Sequence, residues 1–199
     1  MENSSKGIIF IVDISGYSGF VREMDNGQGA EVISALLQSI IGANHLSLII
    51  SEIEGDAILF YYFGIPFTIE QILCQFESML LAFNEKAVLL KADYPQVQDL
   101  SIKLIVHYGT IEKFNVSGFF KLYGQVLIEA HRLLKNSIGL KTYVLVTENY
   151  QQALSQSAEY EGEINSYEQC DLDKDMGKLC YTFFTRQNLD QKFVPLVIK

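Results

Sequence analysis

Apolar and polar positions follow different rhythms along this chain, and each rhythm predicts a different element. Residues 8–12 (IIFIV) form an unbroken apolar run, the pattern of a strand buried on both faces. Between 28 and 42, apolar side chains recur at Val32, Ile33, Leu36, Leu37, Ile40 and Ile41. That spacing predicts a helix with one buried stripe, and Gly42 and Asn44 can stop it. Two further apolar runs, 45–53 (HLSLIISEI) and 57–63 (AILFYYF), flank Glu54-Gly55-Asp56 and predict a hairpin. After Pro66, Thr68 and Gln71 stand at capping-box spacing. A second helix is expected from there through Leu73, Phe76, Leu80 and Phe83 towards Ala92, and Pro95 forbids its continuation.

The second half repeats these signals. Residues 100–108 alternate, with Leu100, Ile102, Leu104 and Val106 on one face, as in a strand with one wet side. Residues 118–123 (GFFKLY) are the expected antiparallel neighbour. A helix over 125–135 buries Val126, Ala130, Leu133 and Leu134; a strand follows at 142–146, and Thr147 caps a brief helical turn. Residues 160–167 and 178–185 read as a final hairpin, and 193–199 as an apolar tail without a clear period. The order β-α-β-β-α-β, followed by more of each, predicts one α+β domain over 1–199 with helices on one face of a sheet.

Composition narrows the partners. The chain has 199 residues, 49% of them hydrophobic, which supplies a full core and argues against disorder. A net charge of −9 without any Lys/Arg block argues against nucleic acid or an anionic membrane as partner. No apolar stretch has the length of a membrane helix, and the polar residues 1–7 are not expected to serve as a signal peptide. Cys74, Cys170 and Cys180 are odd in number and widely spaced, so neither a disulfide framework nor a CxxC metal motif is expected, which predicts a reducing, cytoplasmic setting. His45, His107 and His131 share no metal-ligand spacing and read as structural. No Walker A loop, GxGxxG or GxSxG stands in a suitable context.

The candidate chemistry lies where the first strand ends. Asp13 puts a carboxylate there, and Gly16 and Ser18 follow in a tight turn whose amides point outward. Such a grouping suits a metal–phosphate complex; alternatively, Asp13 caps a short helix over 17–24. If the first strand lies antiparallel to 57–63, Asp13 meets Asp56 at the sheet edge, within reach of a shared divalent ion with a preference for oxygen ligands.

These residues resemble a known family. FIVDISGYS (10–18) is similar to the opening strand of class III nucleotide (adenylate/guanylate) cyclase catalytic domains, and EGDAILFY (54–61) resembles their Gly-Asp hairpin. HYGT (107–110) and YGQVLIEAHRLLKNSIGL (123–140) resemble the third and fourth landmarks, and all four stand in family order across nearly the whole chain. The turn is not the Gly-Gly-Asp-Glu-Phe of diguanylate cyclases.

The resemblance implies a ferredoxin-like βαββαβ core with a mostly antiparallel sheet. It also implies a purine nucleoside triphosphate as ligand, Mg²⁺ or Mn²⁺ as cofactor, and a site completed in a head-to-tail homodimer. In the family, the ribose 3′-hydroxyl attacks the α-phosphorus, giving a cyclic nucleotide and pyrophosphate. By resemblance, Asp13, Asp56 and the Ile14 carbonyl would hold metal, and the amides around Ser15, Gly16, Tyr17 and Ser18 would hold the β- and γ-phosphates. Arg132 falls where the family stabilises the transition state, though it could equally be a solvated residue paired with Glu129. Lys174 falls in register with a triphosphate-binding lysine, or is an exposed loop residue.

Departures from the pattern are concentrated in the second half of the site. Ile128 replaces the Asn that orients the ribose. Glu52, at a base-recognition position, would accept from a guanine edge, unless Lys121, at the other such position, neutralises it. The arm over 110–123 is shorter than usual in the family. The resemblance therefore implies a slow nucleotide cyclase or, alternatively, a catalytically degenerate module for ligand sensing or protein interaction.

Overall fold

Strand β1 (Ser4–Ser15) is central in the sheet of the computed structural model, which describes residues 4–157 and 166–185. It pairs antiparallel with β3 (Ala57–Phe63) on one side and β4 (Ser101–Val116) on the other. Strand β2 (Ile49–Glu54) lies outside β3, so the first four strands stand in the order β2-β3-β1-β4, the ferredoxin-like arrangement. β6 (Tyr143–Thr147) runs parallel to β4, and β8 (Gly177–Thr185) and β7 (Tyr167–Asp173) extend the sheet antiparallel. β5 (Phe119–Tyr123) pairs with the far half of β4 and forms a two-stranded arm.

The unbroken apolar run of β1 is explained by burial on both faces. Ile8, Phe10, Val12 and Ile14 pack in the larger core with Leu36 and Ile40 of α2 (Asn26–Gly42), Phe76 and Phe83 of α3 (Ile69–Leu90) and Tyr150 of α5 (Glu148–Ser157). Ile9 and Ile11 face the other way, against Val126, Ala130 and Leu133 of α4 (Gln125–Leu133). Helices therefore cover both faces, not one as the element order suggested. For the same reason the supposed wet side of β4 is dry: α4 lies over it, and Ile105 and His107 are buried there.

Local signals open two of the helices. Thr68 and Gln71 form the reciprocal capping box that opens α3. The Thr147 hydroxyl accepts from the Tyr150 N–H at 3.3 Å, opening a ten-residue α5 rather than a single turn. Residues 45–48 are not strand. Gln75, 2% exposed, accepts from the His45 and Leu46 amides at 2.7 and 2.8 Å and donates to the Ala43 carbonyl at 2.7 Å, which folds a loop back onto α3. The last hairpin is displaced from its expected position: its first strand starts at Tyr167, most of the segment 160–167 lies outside the described residues, and so does the tail 193–199.

The cysteine reading is overturned. Cys170 and Cys180 stand directly opposite on β7 and β8, their Cα atoms 4.0 Å apart, and are joined by a disulfide. An odd count leaves room for one bond between registered neighbours, so the cysteines do not argue for a reducing compartment. No described helix is long and apolar enough to cross a membrane.

Candidate functional site

Side-chain alternation along β1 turns Asp13 to the same face as Ile9 and Ile11, just past the end of the core beneath α4. The site lies at the ends of the central strands rather than at a lateral edge of the sheet. Directly opposite on β4 is Lys103, whose Nζ is 3.0 Å from Asp13 Oδ2 and donates to the Leu134 carbonyl at 3.0 Å beyond α4. On the other side Asp13 is opposite Ala57, and the Ile14 N–H donates to the Asp56 carbonyl at 3.1 Å. That bond fastens the hairpin turn to β1 and brings the two acids together. Burial, and then the nearby charge of Asp13, push the Asp56 carboxyl up to about 6.

The turn after Asp13 is set by glycine. Gly16 has φ 92°, and a Cβ there would lie 2.8 Å from the Asp99 carbonyl oxygen. Gly16 is the N-cap of α1 (Tyr17–Glu23), which has no side-chain cap, so Asp13 does not cap this helix. The Ser15 hydroxyl donates to the Lys141 carbonyl at 2.7 Å, the Ser18 carbonyl accepts from Arg22 Nε at 3.1 Å, and the Tyr17 ring packs beside Gly55. Phosphate contacts from this turn would thus fall to its amides.

Asp13, Asp56 and the Ile14 carbonyl are hard oxygen donors of the kind Mg²⁺ and Mn²⁺ prefer. Lys103 engages one oxygen of Asp13 and leaves the other. The Asp56 carboxyl, raised first by burial and then by the charge of Asp13, is a group that a cation would help to ionise. Among the described residues no three His, Cys, Asp or Glu side chains converge, so further ligands would come from backbone, water or a bound phosphate.

The remaining expected residues form two other clusters. Glu52 on β2 and Lys121 on β5 pair with each other, and the Glu52 carboxylate holds the Lys121 ammonium above its usual range. Arg132 does not pair with Glu129. Its Nη2 is 3.0 Å from Asp175 Oδ2 and its Nη1 3.7 Å from Asp173 Oδ2. Asp173 ends β7 and Asp175 lies in the turn to β8, with Lys174 exposed between them. Ile128 is 52% exposed on α4.

Two groups were given no role of their own from the sequence. Lys103 reads there as an ordinary polar residue on a wet strand face. Glu129 is buried: it accepts from His107 Nε2 at 2.6 Å and Gln125 Nε2 at 2.9 Å, while His107 Nδ1 meets Thr147 Oγ1 at 2.7 Å. The His107 hydrogen bond is the main cause holding the Glu129 carboxyl below its usual range. The shortened arm is formed nonetheless, and its Phe119 and Phe120 are each 73% exposed.

Comparison with solved structures shows the same architecture in nucleotide cyclase domains. The guanylyl cyclase Cya2 superposes with a TM-score of 0.72 over 90% of this chain and 91% of that one, at 14% identity. The guanylate cyclase domain of RhGC from Catenaria anguillulae, solved in complex with GTP, gives 0.64 over 91% and 96%, at 14% identity. The adenylyl cyclase CyaB from P. aeruginosa gives 0.55 over 91% and 94%, at 12%. Likeness at such identity speaks for the fold. In sequence, the chain is 29% identical over 133 residues to the uncharacterized protein Rv2561/Rv2562 of Mycobacterium tuberculosis (strain ATCC 25618 / H37Rv), a match spanning 63% of this chain and 61% of that protein. The family model described as protein of unknown function (DUF2652) matches residues 33–143, more than half of the chain, and the protein, a cyclase-like α+β domain, belongs to that family.

Proposed function

We propose that this protein binds a purine nucleoside triphosphate together with Mg²⁺ or Mn²⁺ at the Asp13–Asp56 end of its sheet, and that turnover to a cyclic nucleotide is slow or absent. The observation that carries this reading is the acid pair itself, fastened by the Ile14–Asp56 bond, with burial and then the charge of Asp13 raising the Asp56 carboxyl to about 6.

Asp13, Asp56 and the Ile14 carbonyl would hold the cation, which when bound neutralises phosphate charge and acidifies the attacking hydroxyl. Lys103, beside Asp13, offers an ammonium to a phosphate oxygen, and the amides of the turn over 15–18 face the β- and γ-phosphates. The exposed arm and Ile128 give a second copy an apolar surface on which to complete the cleft head to tail. Glu52 and Lys121 occupy each other, so a base meeting them finds its acceptor already taken.

The competing reading is a cyclase-fold module that senses a ligand or binds a protein without chemistry. It is favoured by Ile128, which offers no hydrogen bond to a ribose, and by the capture of Arg132 by Asp173 and Asp175. Catalysis depends on contacts made in the transition state, and removing one such donor costs roughly a hundredfold or more. The test is incubation with ATP or GTP and Mn²⁺, with detection of cyclic nucleotide and pyrophosphate alongside melting-temperature shifts. Binding lost in Asp13→Asn/Asp56→Asn supports the site. Product lost in Asp56→Asn establishes an enzyme. A ligand-induced shift that survives the double substitution would refute the site.

A further inference from the structure

The hairpin that holds Arg132 is itself held by the disulfide. Among the described residues β7 pairs only with β8 and closes one side of the sheet, and its residues are exposed or half-buried throughout, so burial does little to select its register. In the observed register Asp171 and Asp173 face α4, and Cys170 and Leu172 face the other way. Asp171 accepts from the Ser137 amide at 3.1 Å, from the Ser137 hydroxyl, and from the Tyr181 hydroxyl at 2.9 Å. Asp173 Oδ1 accepts from the Asp175 and Met176 amides at 2.9 and 3.0 Å, shaping the turn, while its other oxygen and Asp175 meet Arg132. A slip of one residue would carry Asp171 and Asp173 to the opposite face. The Cys170–Cys180 bond, between directly opposed residues, forbids that slip.

The bond is also reachable. Cys170 is exposed, and both cysteines line an open cavity of about 520 Å³ with Glu148, Gln151, Glu168 and Thr182, on the face of the hairpin away from Arg132. We infer that Cys170–Cys180 is a thiol–disulfide exchange site that sets the availability of Arg132: oxidised, the hairpin holds the guanidinium; reduced, it releases it. The reductant is a dithiol. One of its thiolates attacks a sulfur of the pair to give a mixed disulfide, and its second thiol displaces the protein. The reductant leaves as a disulfide, and Cys170 and Cys180 each end as thiols, having gained two electrons and two protons between them. The reduced chain loses the covalent limit on its loop and on its register. That the released Arg132 then meets phosphate rests on the function proposed above; the latch does not.

The test uses the full chain with Cys74→Ser, so that thiol titration reports only the pair. The Arg132 side-chain Nε–Hε NMR signal, assigned with Arg132→Lys, is compared in air-oxidised protein, in protein reduced with excess dithiothreitol, and in Cys170→Ser/Cys180→Ser. Binding of inorganic triphosphate is measured on the same samples and on Asp173→Asn/Asp175→Asn. Reduction is expected to move and sharpen the Arg132 signal and to raise triphosphate affinity roughly fivefold, the scale of an exposed ion pair. The Asn variant should reach that affinity in either redox state. Two thiols appearing with an unchanged Arg132 signal overturns the latch, as does finding both thiols free before reduction. A signal that responds while triphosphate affinity stays flat in every sample supports the latch and refutes the phosphate role of Arg132.

Discussion

Lys103 Nζ lies 3.0 Å from Asp13 Oδ2, across directly paired positions of β4 and β1. The two side chains are only 17% and 15% exposed, so this pair works in a partly dry setting. Replacing Lys103 by Met keeps the apolar stem and removes the charge, leaving Asp13 beside Asp56 without its cation. Lys103→Met is expected to lower stability in chelator by about 2 kcal/mol, less than for a fully buried pair because some water remains. Mg²⁺ should restore more stability to the variant than to the parent. Equal urea midpoints with and without Lys103 would rule out the charge relationship.

Asp56 predicts a pH dependence of definite sign. Its folded value of about 6 lies above the ordinary 3.8, so the folded state holds the extra proton between those values. Stability therefore falls as pH rises through that window, and the deficit is complete above pH 6. Asp56→Asn should raise the melting temperature at pH 7.5 by roughly 3 °C, about 1 kcal/mol after solvent screening, and the gain should vanish near pH 4. In the parent, divalent-cation affinity should weaken below pH 6, because the cation must displace that proton. A gain that persists undiminished at pH 4 would contradict this origin.

The His107–Glu129 pair predicts the opposite slope. The Glu129 carboxyl is held below its ordinary 4.5, so its contribution is present above that pH and is lost as pH falls through the folded value. His107→Phe, which strands the carboxylate under α4, should cost about 3 kcal/mol at pH 7. Glu129→Gln should cost about 1 kcal/mol and flatten the acid limb of a stability–pH curve, since a neutral amide can still hydrogen-bond. Denaturant titrations at pH 7 and 4 measure both effects.

The parts of the fold legible in the sequence were those decided by neighbours along the chain. The run at 8–12, the stripe of α2, the hairpin at Gly55 and the capping box at Thr68 are local patterns, and the structure has each of them. What β4 would face was decided by α4, which follows it in the chain, so alternation at Leu100, Ile102, Leu104 and Val106 told half the story and left Ile105 and His107 on the wrong side of it. The site was legible in the same measure. Asp13 and Asp56 flank signals of strand end and turn, and were identified. Lys103 gains meaning only from the strand opposite it, and Arg132 from a hairpin forty residues on. No local pattern announces a partner that distant.

The alternation of β1 has a consequence for heredity. Ile8, Phe10, Val12 and Ile14 belong to the main core, and Asp13 and Ser15 stand at the end of the other side, outside it. A lineage altering the first set risks the whole body, whereas exchanges in the second touch only one end of it. Change at that end can therefore alter what the strand's tip does while the frame persists. Descendants of such an ancestor would keep its shape far longer than its occupation.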